Sequence, residues 1–481
     1  MPTTLYPGHA VNKLICAALV VGAVFSAADA AEAQSMPPSC FSSVWDYVKS
    51  SVRDCPLRYG PITVYGAIDA GVGYEQWGAP LGTYADKANY AIQRSSGNTH
   101  WLLSPNALST STIGVRFAQE VAKDWEVIGV AETGFNPYTL RLINGPQSLA
   151  DNNLFTPANQ TTHFDTARAG TLDNGQGFVG ISNPTYGTLT FGRTVLLSQS
   201  ALGAYDPVAS FAFSQIGFTT FYSTFGASPT SRINTAITYR LTYKDFRVAV
   251  QGQVGGYDQD NAATQEYQFQ IGTDFRGISF DAIAGYAVNA LTFQTFGGAP
   301  IPAGFDPNSI VRATAMNTGG VELLGRYEWQ KFKFYLGNIY SVSVNPSNAF
   351  PNGVPSIATG IIVPAGFVTA NAFTVPRVVD TVWTGVRYAL TPKVELSSGV
   401  YWEHQNNYLG APAVCTGSGT TTSSNRCAGG RYSYSFLIDY LPVPRVNLYA
   451  GLLVSTVYGG VASGFQHTEN IAPTVGMRFR F

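Results

Sequence analysis

The most constraining feature of this 481-residue chain is an alternation of apolar and polar residues with a period of two. Ile233, Ile237 and Leu241 would lie on one face of a strand, with Arg232 and Arg240 on the other. The alternating segments run for about 9–14 residues, which matches strands that cross a membrane at a tilt. After residue 33 no apolar run is long enough for a membrane helix. The pattern therefore predicts membrane-spanning β-strands.

The connections between these segments alternate between short turns and long loops. Turns such as Lys244-Asp245 contrast with loops such as residues 136–176. The predicted strands are 62–75, 111–119, 125–135, 177–183, 187–194, 232–243, 246–257, 265–275, 278–289, 319–329, 331–344, 380–390, 393–405, 431–441, 445–457 and 473–481. Because the number of strands is even, the first strand begins and the last strand ends on the side of the short turns. Because a sheet edge in lipid must be paired, we expect an all-β fold, a closed transmembrane antiparallel barrel of about 16 strands.

Charged side chains are rare, at 12% of residues, and those on the predicted strands gather on the face opposite the apolar one. The predicted lumen-facing residues include Arg116, Arg240, Arg247, Arg387, Arg478, Asp69, Glu126 and Glu132. An arginine or lysine on the lipid face would cost about 2–4 kcal/mol near the midplane. A soluble sandwich would also alternate, but sixteen such faces exceed one sandwich core. A sixteen-stranded barrel is wide enough for an aqueous channel.

The first 33 residues have the organisation of a cleaved secretory signal. Lys13 precedes an apolar stretch at 14–28, and small residues end with Ala33, the predicted cleavage point. The whole chain carries 28 basic and 29 acidic residues, without the basic excess typical of nucleic-acid binders. The chain is therefore predicted to be exported and to bind no nucleic acid.

Four cysteines remain after the predicted signal, and they form two local pairs. An even number in an exported chain suggests the disulfides Cys40–Cys55 and Cys415–Cys427. Neither a Cys-x-x-Cys motif nor a histidine cluster is present, so we expect no metal or other cofactor.

Residues 34–61 form a predicted short segment on the periplasmic side, ahead of the barrel at 62–481. Phe41, Val44, Trp45 and Val48 have helical spacing between Cys40 and Cys55. A disulfide-closed helix here would either cap the pore or pack against the rim of the barrel, and the sequence favours rim packing.

Three local motifs extend this interpretation. The first strand contains a Tyr65-Gly66 pair, Phe191-Gly192-Arg193 ends a later strand, and residues 477–481 end the chain as Met-Arg-Phe-Arg-Phe. Over residues 62–481 the chain resembles the general bacterial porins of Gram-negative outer membranes. The resemblance implies a homotrimer in outer-membrane lipid and lipopolysaccharide, through which small hydrophilic solutes diffuse passively. Gly66, Ala70, Gly129 and Ala131 are outward positions small enough for close subunit contact.

The resemblance also implies that loop three, residues 195–231, folds into the pore and that wall arginines face acidic groups on it. By position the wall arginines are Arg193 and Arg232, which bracket the loop, and Arg116, which is a weaker match. The expected constriction residues are Asp206, Phe211, Phe213 and Gln215. Asp206 is the only charge in the loop, and it either contributes to the constriction or forms a turn through its carboxylate. An excess of arginine there would give a weak anion preference.

Other functions fit the sequence less well. The aromatic loop three could bind sugars or other apolar-faced solutes, which leaves a substrate-selective channel as an alternative. An outer-membrane hydrolase needs a nucleophile beside a histidine, and only His404 lies on a predicted strand, on its apolar face. We therefore expect no enzyme activity. An adhesin would need neither sixteen strands nor a charged lumen.

Overall fold

The computed structural model describes most of the chain from Pro38 to Phe481. The described residues are 38–78, 92, 98–140, 142, 175–209, 212–217, 232–254, 265–289, 292–293, 313–314, 316–347, 361–363, 366–368, 373–412, 414–421 and 424–481. The predicted signal at 1–33 and Phe211 lie outside these ranges. No helix within the described ranges is long and apolar enough to cross a membrane.

Strands dominate the described residues. They are β1 (Leu57–Tyr59), β2 (Ile62–Gly78), β3 (Asn98–Pro105), β4 (Ser111–Ala122), β5 (Trp125–Phe135), β6 (Gly177–Asn183), β7 (Gly187–Val195), β8 (Arg232–Tyr243), β9 (Phe246–Val254), β10 (Gln265–Phe275), β11 (Ile278–Val288), β12 (Thr292–Phe293), β13 (Ala313–Thr314), β14 (Asn317–Trp329), β15 (Phe332–Val344), β16 (Ile361–Val363), β17 (Gly366–Val368), β18 (Arg377–Thr391), β19 (Val394–Gln405), β20 (Gly429–Val443), β21 (Val446–Gly459) and β22 (Glu469–Arg480). The α-helices are Val44–Lys49 and Leu197–Tyr205, and the 3-10 helices are Pro38–Phe41, Gly419–Thr421 and Gly460–Ala462.

Sixteen of the strands form a closed antiparallel barrel, which confirms the predicted fold. They are β2, β4 to β11, β14, β15 and β18 to β22, and each pairs with the next along the chain. The barrel closes where β22 pairs with β2, from Ala67 opposite Arg480 to Gly73 opposite Thr474. No strand edge is left for lipid to face at this seam, as the membrane requires.

Two short strands extend the barrel sheet. β3 and β4 pair with the same edge of β2, and residues 106–110 interrupt them. β1 pairs with β2 at Ile62 to Val64, beyond the end of β22. The remaining strands form two separate hairpins, β12 with β13 and β16 with β17.

The short turns have the backbone conformation that tight hairpins need. Asp124, Lys244, Arg276 and Gln330 all have positive φ, between 50° and 64°. A left-handed residue lets a two-residue turn follow the twist of its flanking strands. These turns hold neighbouring strands in register, so the alternation of inward and outward residues continues from one strand to the next.

The N-terminal segment is attached to the barrel rim. Its disulfide joins Cys40 to Cys55, as predicted, and the second predicted disulfide joins Cys415 to Cys427. The fully buried Arg445, in the turn between β20 and β21, donates hydrogen bonds to the carbonyls of Tyr47 (2.8 Å), Ser51 (3.1 Å) and Cys55 (2.5 Å). Its guanidinium carbon lies 3.9 Å from the centre of the Tyr47 ring.

Candidate pore constriction

Loop three leaves β7 as a helix that lies inside the barrel. The residue that precedes this helix, Leu196, provides no side-chain cap. The first N–H groups instead donate to the barrel wall, from Leu197 to Gln251 Oε1 (3.2 Å) and from Ser198 to Gln268 Oε1 (2.9 Å). Inward glutamines of β9 and β10 thus satisfy helix N–H groups that have no partner within the helix.

Apolar side chains fix the helix against the same wall. Leu197, Leu202 and Tyr205 are at most 2% exposed. They belong to one buried cluster with inward side chains of the wall, which include Ile233, Ala236, Ala249, Ile283, Leu324, Ile339, Trp383 and Tyr401. This apolar strip was not predicted from the sequence. The sequence does contain a sign of the strip, because some lumen-facing positions are apolar. Ile283, two residues after the inward Asp281, is one example.

Donors from the wall also hold the end of the helix. Arg326 donates to the carbonyl of Ala204 (3.2 Å), and Trp383 donates to that of Tyr205 (3.0 Å). Arg387 on β18 donates to the carbonyls of Asp206 (2.9 Å) and Pro207 (2.6 Å). The last carbonyls of a helix lack partners within it, and positive charge is favourable at this end. The predicted lumen-facing Arg387 therefore holds loop three.

Asp206 is an anchor of loop three. It is 2% exposed, and its Oδ1 accepts hydrogen bonds from the Val208 N–H (3.0 Å) and the Tyr401 hydroxyl (2.7 Å). The hydrogen bond from the Val208 N–H closes a turn, and turn formation was one of the two roles predicted for Asp206. Burial raises the pKa of Asp206, opposed by hydrogen bonds from Ser214 and Tyr401. The one acidic group of loop three is therefore withdrawn from the lumen surface.

The later part of loop three follows the wall further, as far as β21. Phe213 is fully buried, and its ring meets that of Tyr449 edge-on at 6.1 Å. Gly451 leaves room for it, because a Cβ there would lie 2.7 Å from Phe213 Cε1. Gln215 is 4% exposed and accepts a hydrogen bond from the Ser433 hydroxyl (2.5 Å). Of the four expected constriction residues, Phe213 and Gln215 thus pack on the wall, as Asp206 does, and Phe211 lies outside the described residues.

Two predicted lumen arginines contact the helix of loop three. Arg247 forms ion pairs with Asp274 and with Asp281 (2.8 Å) and donates to the Tyr205 hydroxyl (2.7 Å). Burial raises the pKa of Tyr205 to about 12, so this hydroxyl stays protonated at neutral pH. Arg240 reaches Ser200 Oγ at 3.4 Å. Two carboxylates thus face the single guanidinium of Arg247.

A second group of charges lies on the wall of β2, β4 and β5. The Arg116 guanidinium carbon lies 4.0 Å from the centre of the Tyr65 ring, and the Tyr65 hydroxyl donates to Glu132 Oε2 (2.7 Å). The side chain of Gln176 donates to Glu132 Oε1 (3.0 Å). Arg116 and Glu126 are exposed, unlike most inward groups beside loop three.

Asp69 faces inward but does not line the lumen as predicted, because it is fully buried. Its Oδ2 accepts the N–H groups of Leu108 and Ser109, both at 2.8 Å, and its Oδ1 accepts the Tyr449 hydroxyl at 2.7 Å. The carboxylate thus fixes the interruption between β3 and β4.

Arg478 lies on β22, opposite Asp69 in the sheet register. It donates to Asn447 Oδ1 (3.1 Å), and Asn447 in turn donates to Asp439 Oδ2 (2.8 Å). These three side chains form a polar network across β20, β21 and β22.

The strands that bracket loop three depart from simple alternation. The register of β7 and β8 shifts between Gly192 and Thr194, and Thr235 has a φ of 48°. Ile233, predicted on the lipid face, is 2% exposed and packs in the cluster under loop three. That prediction was wrong because the bulge lies between Ile233 and the rest of β8, so the alternation after the bulge does not extend back to Ile233.

The same bulge affects Arg193 and Arg232, the arginines assigned by resemblance. Arg193 donates to the Gly175 carbonyl (3.0 Å) and to Asn234 Oδ1 (2.5 Å), so it joins β7 to its neighbours. Arg232 pairs with Val195 at the point where β8 begins. For both arginines, strict alternation along the strand does not predict the direction of the side chain.

Known proteins resemble the chain in sequence and in fold. It is 23% identical over 221 residues to an outer membrane porin protein of Bordetella pertussis, a match that covers 45% of this chain and about half (49%) of that protein. An anion-selective porin from Comamonas acidovorans has a TM-score of 0.54 at 11% identity, covering 87% of this chain and 99% of that one. The trimer form of OmpT from Vibrio cholerae has a TM-score of 0.50 at 10% identity, covering 87% and 99%.

The family match covers most of the sequence. The family model for Gram-negative porins matches residues 16–452. Together with the closed barrel of sixteen strands, it places the protein in the outer membrane. The chain belongs to the Gram-negative porin family.

Proposed function

We propose that the protein is a water-filled channel for passive diffusion of small hydrophilic solutes and ions across the outer membrane. The observation that carries the proposal is the anchored path of loop three. Its helix and the residues after it are bonded to the wall from Gln251 on β9 to Ser433 on β20. A loop held against one wall narrows the lumen, and the exposed charges of β4 and β5 remain for water and solutes.

The arrangement of charge supports a weak anion preference. The buried Asp206 does not present an acidic group to permeating ions, whereas Arg116 is exposed on the opposite wall. Exposed acids such as Glu126 limit the effect. Charges that line a pore set the sign of the ions it prefers, so a mixed lining gives modest selectivity.

A substrate-selective channel is the alternative. It would use aromatic side chains of loop three to stack on sugars or similar solutes. Phe213 is fully buried against Tyr449 and Gly451, so its ring has no face available for a solute. This contact favours general diffusion, and neither channel proposal involves catalysis.

The proposed assembly is a homotrimer that is exported by a cleaved signal and surrounded by lipid and lipopolysaccharide. The solved trimer form of Vibrio cholerae OmpT shares the fold. Gly66 and Ala70 on β2 and Gly129 and Ala131 on β5 are small residues on outward positions, which suits close packing of subunits. A barrel that migrates only as a folded monomer in mild detergent would contradict this assembly.

Planar-bilayer recording tests the channel proposal. Purified protein in a salt gradient should give stepwise conductance and a small reversal potential of the sign expected for anions. Flux of uncharged sugars should fall with solute size and should not saturate. Folded protein without conductance would refute the channel, and saturable block by one solute would support the selective alternative.

A further inference from the structure

An acidic side chain lies on the outer surface of the barrel. Leu336 and Tyr340, both outward on β15, are 62% and 46% exposed, and Asn338 lies between them on the same face. Its side-chain amide donates to Asp380 Oδ1 on β18 at 2.5 Å. Lipid-facing charge is destabilising, although less so for acids than for bases and less so near the membrane surface. This pair therefore needs a polar environment outside the barrel.

The register places the acid at the level of the outer membrane surface. Outward residues of β15 run from Phe332, beside a short turn, to Tyr340, a span of about nine residues that suffices to cross the hydrocarbon layer. Asp380 pairs directly with Tyr340. Asp380 therefore lies at the aromatic girdle on the side of the long loops, where lipid headgroups begin.

A rigid group of rings adjoins the acid. Asp380 pairs in register with His404, whose ring is nearly parallel to that of Trp402 (6°, 5.4 Å between centres). The Trp402 indole N–H donates to the Tyr458 hydroxyl (2.9 Å), and His404 Nδ1 lies 3.2 Å from the same oxygen. Gly430 makes space for Tyr458, because a Cβ there would lie 2.7 Å from that hydroxyl.

We propose that Asn338, Asp380, Trp402 and His404 form a binding site for the sugar headgroup of a membrane glycolipid. Aromatic faces pack against the C–H faces of sugar rings, and a carboxylate with a neighbouring amide accepts and donates hydrogen bonds to hydroxyls. The outward positions of β15, β18 and β19 carry no lysine or arginine among the described residues. The chemistry of the site therefore matches hydroxyl groups rather than phosphate.

The surrounding surface indicates a lipid rather than a free sugar. Leu336, Val400 and Phe436 are outward side chains on the membrane side of the rings, and they are 62%, 42% and 43% exposed. Acyl chains of the same molecule would lie along them. This proposal depends on the proposed function in one respect: the long loops must face the cell exterior.

Native mass spectrometry tests the site with rough-form lipopolysaccharide as the probe and phosphatidylethanolamine as the comparison lipid. Asp380→Ala and Trp402→Ala should each retain lipopolysaccharide about tenfold less well, a loss of about 1.4 kcal/mol of binding free energy. Tyr286→Ala is the matched control, because Tyr286 is an outward aromatic of β11 with 46% exposure. It should bind like the unmodified protein, and Trp402→Phe should recover most of the binding.

Several outcomes would overturn this inference. Equal retention of both lipids, or an equal loss in the Tyr286→Ala variant, would make the rings an ordinary interfacial girdle. Altered subunit assembly without a change in lipopolysaccharide binding would make this face a protein contact. Bilayer conductance separates the inference from the channel proposal, because a non-conducting barrel can still bind the glycolipid and a conducting barrel can fail to bind it.

Discussion

The inner surface of the barrel has two contrasting parts. From β9 to β21 the inward polar side chains are largely buried, and they bond to loop three, as Gln251, Trp383 and Arg387 do. On β4 and β5, Arg116 and Glu126 point to the same lumen but remain exposed. An inward polar residue therefore serves as an anchor on one part of the wall and as a pore lining on the other.

The difference shows that inward position alone does not define a pore-lining residue. Asp69 and Glu126 both lie on inward positions of their strands. Asp69 is nevertheless fully buried, whereas Glu126 is exposed. What separates them is whether a segment of chain lies over the wall. Substitutions on the covered wall should change stability and gating, whereas those on the open wall should change ion selectivity.

The largest effect is expected for Arg387→Met. The change leaves the buried carbonyls of Asp206 and Pro207 without these donors, at about 1–3 kcal/mol for each unsatisfied group. We expect noisy, altered single-channel conductance and a lower melting temperature. Lys333→Met is the control, because Lys333 pairs with Arg387 in register but bonds to Glu328 instead of loop three. Equal behaviour of the two variants would contradict the anchoring role.

A smaller effect, dependent on pH, is expected for Asp206→Asn. Because burial raises the pKa of Asp206, the folded state holds its proton above the ordinary carboxyl pKa of 3.8. Stability from this group is then highest in acid and falls as pH rises from that value through the raised pKa. Unfolding in urea, followed across this range, should show a smaller decrease in the variant than in the unmodified protein. The same slope in both proteins would exclude this carboxylate as its source.

Arg116→Gln on the open wall should change selectivity with little change in stability. Removing an exposed positive charge from the lining should move the reversal potential toward cations by a few millivolts in a tenfold salt gradient. Glu126→Gln should move it in the opposite direction. Two shifts of the same sign would mean that these side chains do not line the ion path.

The smallest effect is expected for removal of residues 39–56. The segment contacts the rim through Arg445, so single-channel conductance should remain unchanged while the barrel loses some thermal stability. Replacing both Cys40 and Cys55 with Ser provides the milder comparison. A clear rise in conductance after the deletion would instead show that the segment caps the pore.

The sequence predicted the barrel well because a period of two and tight turns are local properties. The strand count and the inward face of Arg247 and Arg387 followed from them, whereas the two disulfides followed from the even number of cysteines in an exported chain. The path of loop three did not, because it depends on contacts between residues far apart, such as Tyr401 with Asp206. The bulge at Thr235 was also hidden, since one left-handed residue reverses a face without changing the composition of the strand.

The contact of Arg445 with the N-terminal segment has a consequence for assembly. Its hydrogen bond to Cys55 joins residues 390 positions apart, and Arg480 of the final strand donates its N–H to the Arg445 carbonyl. Contacts between such distant parts of a chain form late in folding, because the intervening chain must be ordered first. We therefore expect the N-terminal segment to dock only after the last strands are in place, and protease resistance of residues 38–56 would then report how much of a preparation has closed.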